Sequence, residues 1–495
     1  LIKTATEYGT QDDAIDTVSC VVVGIGSVTV RGKILSRLRK ALNRSSMRPT
    51  KYLPDNPVWA EICILLHFCL ALSFDSGVQA QLFLPEIFHI VTMLANTGSH
   101  SVRHVVHKLL INSLHAACTS FNLDDAKSIK LRSSLDALCE TRGEIFSFHP
   151  TFTREGASVS TVQDSGATLS STETLAGILF DICSIAAPSV DMANAWRSRW
   201  MSLVASTAFQ NNPAIQPRAF TVLGYLAREE VDDDLLYQVL VALRNSIHRL
   251  DEESSNEMLV SIITSLSKMM AKLPSASRYG PQLFWLAISL VRLVPSTLFN
   301  CAAQFLEAVL TNIGTASDMR GENMATLLLQ GRTQLEEAAL MLDDAFGVHF
   351  NPDTFHFAVC TCLVRGLTDT VTRPTAMRVL SSFLEMTTWT PESLPRGSGL
   401  QIPSSPYLAL IRARAIGPEE LKDSLWLAGI NTDEIGNIFG PRTQRDVDIF
   451  EDKDLLLITA MEMVDFQFLE DTVQSRSLLW LNELAKSRPS VMLRL

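Results

Sequence analysis

Aromatic residues make up only 7% of this sequence, acidic residues vanish between Thr17 and Pro54, and strict two-residue alternation of apolar and polar positions is almost missing. The last absence argues against half-buried β-sheet, whose strands alternate with period two. The scarcity of aromatics, beside 47% hydrophobic residues, leaves Leu, Ala, Val and Ile to fill the interior, as in helix-on-helix packing. With 19% charged residues, the chain is too apolar for global disorder. A formal charge of −11 makes nucleic acid a poor partner, since phosphate binding needs local positive charge, and none is expected.

The motifs of catalysis are absent as well. There is no Gly-rich phosphate cradle ending in Lys-Ser/Thr, no Gly-x-Ser-x-Gly elbow and no His-Glu-x-x-His pair. Gly24-x-Gly26 is followed by Thr29 where a dinucleotide fingerprint needs its third glycine. The segment is therefore read as a non-enzyme, with no catalytic residue, cofactor or metal. Nine scattered cysteines, several inside apolar stretches (Cys63, Cys69, Cys118, Cys183), suit reduced buried thiols better than a disulfide framework. The chain opens on Leu1 without a basic-then-apolar leader, as expected of a piece of a longer protein. Its most apolar stretch, Val58 to Phe74, is short for a bilayer span and carries Glu61 and His67, so it reads as a core helix.

What is present is helical periodicity. Val102, Val105, Val106, Leu109, Leu110, Leu114 and Ala117 recur at three- and four-residue intervals on one face of a helix over Ser101–Cys118. Similar patterns predict helices over Glu173–Ala187, Asp234–Ile247, Asn256–Leu273, Phe284–Leu293, Leu298–Ile313, Phe355–Leu367, Ala376–Met386 and Asp471–Lys486. Val21–Val30 is ambiguous, β-branched like a strand but broken by Gly24 and Gly26. Prolines stand just before periodic segments, where the first helical turn needs no donor from them. About 15 to 20 helices with short joints make an all-α solenoid of HEAT/armadillo-like repeats. An echo supports repeats of ~40 residues: Arg103, Arg218 and Arg378 each stand beside a similar aliphatic run. Arg218 and Arg378 read as residues capping neighbouring helix ends rather than as arginine fingers.

Composition shifts divide the chain into a first repeat block (1–145), a Ser/Thr/Gly-rich flexible loop (146–172) and a central repeat block (173–388). A linker and acidic loop region (389–454) and C-terminal helices (455–495) follow. His100, His104, His107 and His115 invite a metal reading. The stripe lies among Arg103 and Lys108, which repel cations, so a solvated helix surface is preferred. Cys360-x-Cys362 is too closely spaced for a zinc hook and reads as buried thiols.

The feature with functional content is basic. Arg31, Lys33, Arg37, Arg39, Lys40, Arg44, Arg48 and Lys51 lie in the stretch that has no acid. On a helix from Arg31 to Asn43, Ile34, Leu38 and Leu42 form an apolar stripe flanked by these cations. Such a surface suits an anionic lipid headgroup, an acidic protein face or the acidic remainder of the same chain. An ordinary solvated face whose charges pair with the next repeat fits the same residues.

Several segments resemble the region that follows the Sec14–PH module in neurofibromin-type Ras GTPase-activating proteins. They are Gly24-Ile25-Gly26-Ser27-Val28-Thr29-Val30-Arg31-Gly32-Lys33, Asn56-Pro57-Val58-Trp59-Ala60-Glu61-Ile62 and Leu84 to Thr92. Val106 to Asn112, Ala208-Phe209-Gln210, Gln216-Pro217-Arg218-Ala219, Leu283-Phe284-Trp285, Phe357 to Gly366 and Arg378-Val379-Leu380 continue the likeness, which covers most of residues 15–388. The resemblance implies a non-catalytic arm that forms a homodimer and positions the GAP and lipid-binding modules. Ras would be met through a GAP domain upstream, in the cytoplasm and peripherally at membranes. Nothing in the chain matches that domain's arginine-finger loop or its Phe-Leu-Arg signature. Residues 390–454 are short and acidic where the animal proteins carry a long basic Ser/Pro-rich segment, which puts nuclear targeting by that route in doubt. An unrelated repeat adaptor for protein partners, or a membrane-surface module using 31–51, are the competing readings.

Overall fold

The structure, a computed structural model, describes residues 12–74, 82–120, 124–146, 165–228, 231–249, 256–274, 277, 279–315, 322–333, 336–346, 350, 355–364, 366, 371–372, 374–376, 378–379 and 382–383. Among them are seventeen α-helices and no strand, the all-α architecture of a helical-repeat solenoid. The chain divides into two compact units, Leu1–Lys272 and Leu273–Leu495. The division falls inside the stretch that composition groups as one central block.

The first unit contains α1 (Asp12–Gly24), α2 (Val28–Arg44), α3 (Trp59–Ala71), α4 (Leu84–Leu94), α5 (His100–Ser120) and α6 (Asp125–Glu140). It continues with the single turn α7 (Arg142–Ile145), α8 (Ser165–Ala186), α9 (Val190–Ala208), α10 (Gln216–Leu226), α11 (Asp233–His248) and α12 (Glu257–Met269). Start signals are local and chemical. Ser27, Asp124, Ser189 and Asp232 each accept a hydrogen bond from the backbone N–H three residues on. Pro85, Pro217 and Pro281 occupy first turns.

Some expectations change. The ambiguous Val21–Val30 is two helices joined at Gly24–Ser27, because Ser27 caps α2. The predicted helix over Arg31–Asn43 extends to Val28–Arg44. Ser165 to Thr172, read as loop from its Ser and Thr content, is the first two turns of α8. There Thr172 folds its hydroxyl back onto the Thr168 carbonyl, which lets a hydroxyl-rich stretch stay helical. The rest of that loop, the 389–454 and 455–495 regions and the Asp471–Lys486 helix lie outside the described residues.

Burial follows the stacking. Every residue of α4 except Glu86 is buried, as α4 touches α5, α9, α10, α8 and α2. Helix α10 is similarly enclosed by α9, α8 and α12. The α10–α12 crossing is set by Gly224, where an added Cβ would fall 2.6 Å from the Ser265 Cα. Arg218 on α10 donates to the Met93 carbonyl at 2.8 Å and to the Thr97 hydroxyl, so it caps the end of α4 as expected. Arg103 likewise reaches the Phe146 carbonyl. Arg378 departs from the pattern, pairing with Glu307 at 2.8 Å instead of a helix end.

The second unit is built on α13 (Gly280–Leu293), α14 (Ser296–Thr315), α15 (Glu322–Arg332), α16 (Glu336–Phe346) and α17 (Phe355–Val364). Helix α13 packs on α14, α15 and α17. At its centre Asp343, wholly buried, accepts from Arg292 at 3.1 Å and Arg332 at 2.6 Å, and from the Phe350 backbone N–H at 3.3 Å. The Arg332 guanidinium lies 4.6 Å from the Trp285 ring centre and 4.9 Å from that of Phe350.

Candidate functional site

The basic segment resolves into three groups. Lys33, Arg37, Lys40 and Arg44 fall four, three and four residues apart, so α2 presents them as one line on its outer face, and all four are exposed. Ile34, Leu35, Leu38, Ala41 and Leu42 are buried on the inner face, and α2 packs on α3. Arg31 and Arg39 are half-buried on the flanks. Burial lowers the pKa of both; Cys69 lies by Arg31, and Arg199 and Glu86 lie by Arg39.

Past the helix, Arg48 and Lys51 project from an irregular segment, both exposed. That segment is pinned from beneath. The Asn56 amide donates to the carbonyls of Ser45 (3.1 Å) and Arg48 (2.9 Å), and the Asn212 amide donates to the Ser45 hydroxyl (2.6 Å). The sequence reading missed Asn56 and Asn212. An Asn between two prolines' reach, as in Pro54-Asp55-Asn56-Pro57, was the available signal for a side chain organising a turn.

One carboxylate answers the line of cations. Glu61, on α3, accepts from Arg37 Nε at 2.9 Å and Arg44 Nη2 at 2.5 Å. Burial pushes its pKa up, but the two guanidiniums outweigh that and hold it below the usual carboxylate range. Among the described residues no other acid pairs with Lys33, Lys40, Arg48 or Lys51. Glu61 thus ties α2 to α3 and leaves most of the cationic charge uncompensated.

The far end of this surface borders an open cleft of ≈ 1660 Å³ whose lining includes Lys51, Tyr52, Gly98, Tyr237, Val241 and Arg249. Gly98 needs its positive φ of 81°, and an added Cβ would meet the Trp59 ring at 2.5 Å. Tyr237 and Val241 stand a turn apart on α11 and remain exposed.

On the histidine stripe His100, His104 and His115 are exposed, as expected of a solvated helix face, and His107 is half-buried. His100, His104 and His107 stack at 6.4 Å intervals, and His107 meets the Phe146 ring at 5.0 Å. Burial and the neighbouring His104 and Arg142 lower His107 to about 4. Among the described residues, no three His, Cys, Asp or Glu side chains are placed to share a metal ion. Cys63, Cys69 and Cys183 are buried free thiols pushed up to about 12 by burial, and Cys362 is buried too. The Cys118 and Cys360 side chains lie outside the described residues.

Fold and surface together define an all-α helical-repeat protein with a basic outer helix. No protein-family model matches the chain. Two proteins of Saccharomyces cerevisiae do. Inhibitory regulator protein IRA1 is 22% identical over 377 residues, covering 75% of this chain and 12% of IRA1. Inhibitory regulator protein IRA2 is 21% identical over 355 residues, covering 70% of this chain and 11% of IRA2. The chain is homologous to these two regulators at low identity, in agreement with the neurofibromin-type resemblance of its sequence, and spans only about an eighth of their length.

Proposed function

We propose that this chain is a non-catalytic helical arm of a neurofibromin-type negative regulator of Ras, which dimerises and positions GAP and lipid-binding modules carried elsewhere in the same polypeptide. The observation that carries this reading is the extent of the similarity to IRA1, 75% of this chain but 12% of that protein, over a stack of helices. A helical stack can hold distant modules at a fixed spacing, because each repeat is fixed by its neighbours. In this reading HEAT/armadillo-like packing supplies the rigidity, and the protein works in the cytoplasm against membrane-bound Ras.

The test is direct. Purified chain added to GTP-loaded Ras is expected to leave the hydrolysis rate unchanged while sedimenting as a dimer at micromolar concentration. Acceleration of hydrolysis would overturn the non-catalytic part, and a monomer in sedimentation would overturn the dimer.

A further inference from the structure

We infer that the outer face of α2, with the turn that follows it, docks on an anionic phospholipid bilayer. Lys33, Arg37, Lys40 and Arg44 form a single row, which at 1.5 Å per residue is roughly 16 Å long, and Arg48 and Lys51 extend it. Glu61 offsets one charge of the six. Clusters of four to eight cations on an amphipathic helix attract anionic leaflets at about 1 kcal/mol per residue near the surface.

The shape of the face separates a bilayer from an acidic protein. A specific protein interface needs a desolvated apolar centre, with charges pushed to its rim. Here the row is charged throughout, because Ile34, Leu35, Leu38, Ala41 and Leu42 all turn inward. The concave surface begins only past the helix, in the cleft that Lys51 and Tyr52 border, and none of Lys33, Arg37, Lys40 and Arg44 lines it. A bilayer asks only for charge on an accessible surface. The apolar contribution stands at one end, where Met47, 79% exposed, is flanked by Arg44 and Arg48 and followed by the 45% exposed Tyr52. A protruding methionine and an amphipathic tyrosine beside cations are suited to the headgroup–acyl boundary. The turn that carries Met47 is held by Asn56 and Asn212, so little ordering is lost on contact.

Flotation of the full chain with phosphatidylcholine vesicles, with and without about a third phosphatidylserine, tests the inference. Binding is expected only to the anionic vesicles and should weaken as salt rises, because exposed charges are screened. Lys33→Gln with Lys40→Gln, two exposed residues without ion pairs among the described residues, should weaken binding on the order of thirtyfold with an unchanged circular dichroism melt. Met47→Ala should weaken it severalfold while leaving the salt dependence intact. No binding to anionic vesicles, or binding that the Lys33/Lys40 variant does not change, would overturn the proposal. So would capture of soluble inositol phosphates or of an acidic peptide in preference to vesicles. The result is independent of whether the arm dimerises or meets Ras.

Discussion

Each unit contains one carboxylate held between two arginines, and the two sites have opposite consequences. In the first unit Glu61 bridges Arg37 and Arg44, whose side chains are 54% and 49% exposed. In the second, Asp343 bridges Arg292 and Arg332, which are 3% and 12% exposed, and is itself fully buried. Water solvates the first triad whether or not it is formed, so it decides little about folding and much about surface charge. The second has no water to fall back on, and its guanidiniums are further engaged by the Leu342 and Ala339 carbonyls and the Trp285 and Phe350 rings. Breaking it strands buried charge.

The largest effect is expected at Asp343. Asp343→Ala should destabilise the second unit by about 3–5 kcal/mol, read by urea unfolding through the fluorescence of Trp285. Replacing all three partners with apolar residues of similar volume (Arg292→Met, Arg332→Met, Asp343→Leu) should recover most of that loss. If the single variant melts like the parent, the buried triad is not what holds α13, α15 and α16 together.

Inside the first unit, His89 takes the burial side of the same contrast. It is fully enclosed on α4, with Nε2 3.2 Å from the Thr207 hydroxyl, and burial, followed by the charge of Arg39, lowers it to about 3. The unfolded chain takes up a proton near the ordinary histidine value of 6.5, whereas the folded chain does not until about 3. Stability is therefore complete above that upper value and falls with pH across the window, by up to about 3 kcal/mol between pH 7 and pH 4. His89→Leu should flatten this slope in thermal melts taken at successive pH values. An undiminished slope in the variant would place the acid sensitivity elsewhere.

The smallest effect is expected at Glu61. Glu61→Gln should cost only about 0.2–1 kcal/mol, and that contribution should already be fading in the parent as pH falls below the ordinary carboxylate value. Among the described residues Glu61 is the carboxylate paired with the α2 row, so the same substitution should increase uptake onto anionic vesicles. A large loss of stability would show that Glu61 works like Asp343, and the contrast between the units would collapse.

Much of the fold was legible because helix formation is a short-range matter. The repeat of apolar residues at three and four marks α5, α11, α12, α13 and α14 to within a few residues. The α8 start was missed because Ser and Thr usually signal turns, and only the backbone bond from Thr172 to Thr168 shows them serving a helix. The histidine stripe was placed on the correct helix, but its neighbour Phe146 lies 39 residues beyond His107, a separation that no helical period spans. At Arg378 the expected helix-end contact gave way to Glu307, because a long flexible cation takes the nearest carboxylate.

For this protein, local sequence determined the helices, their caps and the row of cations from Lys33 to Arg44, because charge count and the 3.6-residue period are properties of one segment. Tertiary structure alone decided how those charges are spent. Glu61 reaches back 24 residues to Arg37, Asp343 reaches 51 residues to Arg292, and Asn212 steadies Ser45 across 167. The same two-to-one stoichiometry becomes a buried lock in one unit and an open basic surface in the other, because solvent access is set by packing between helices and not by any one of them.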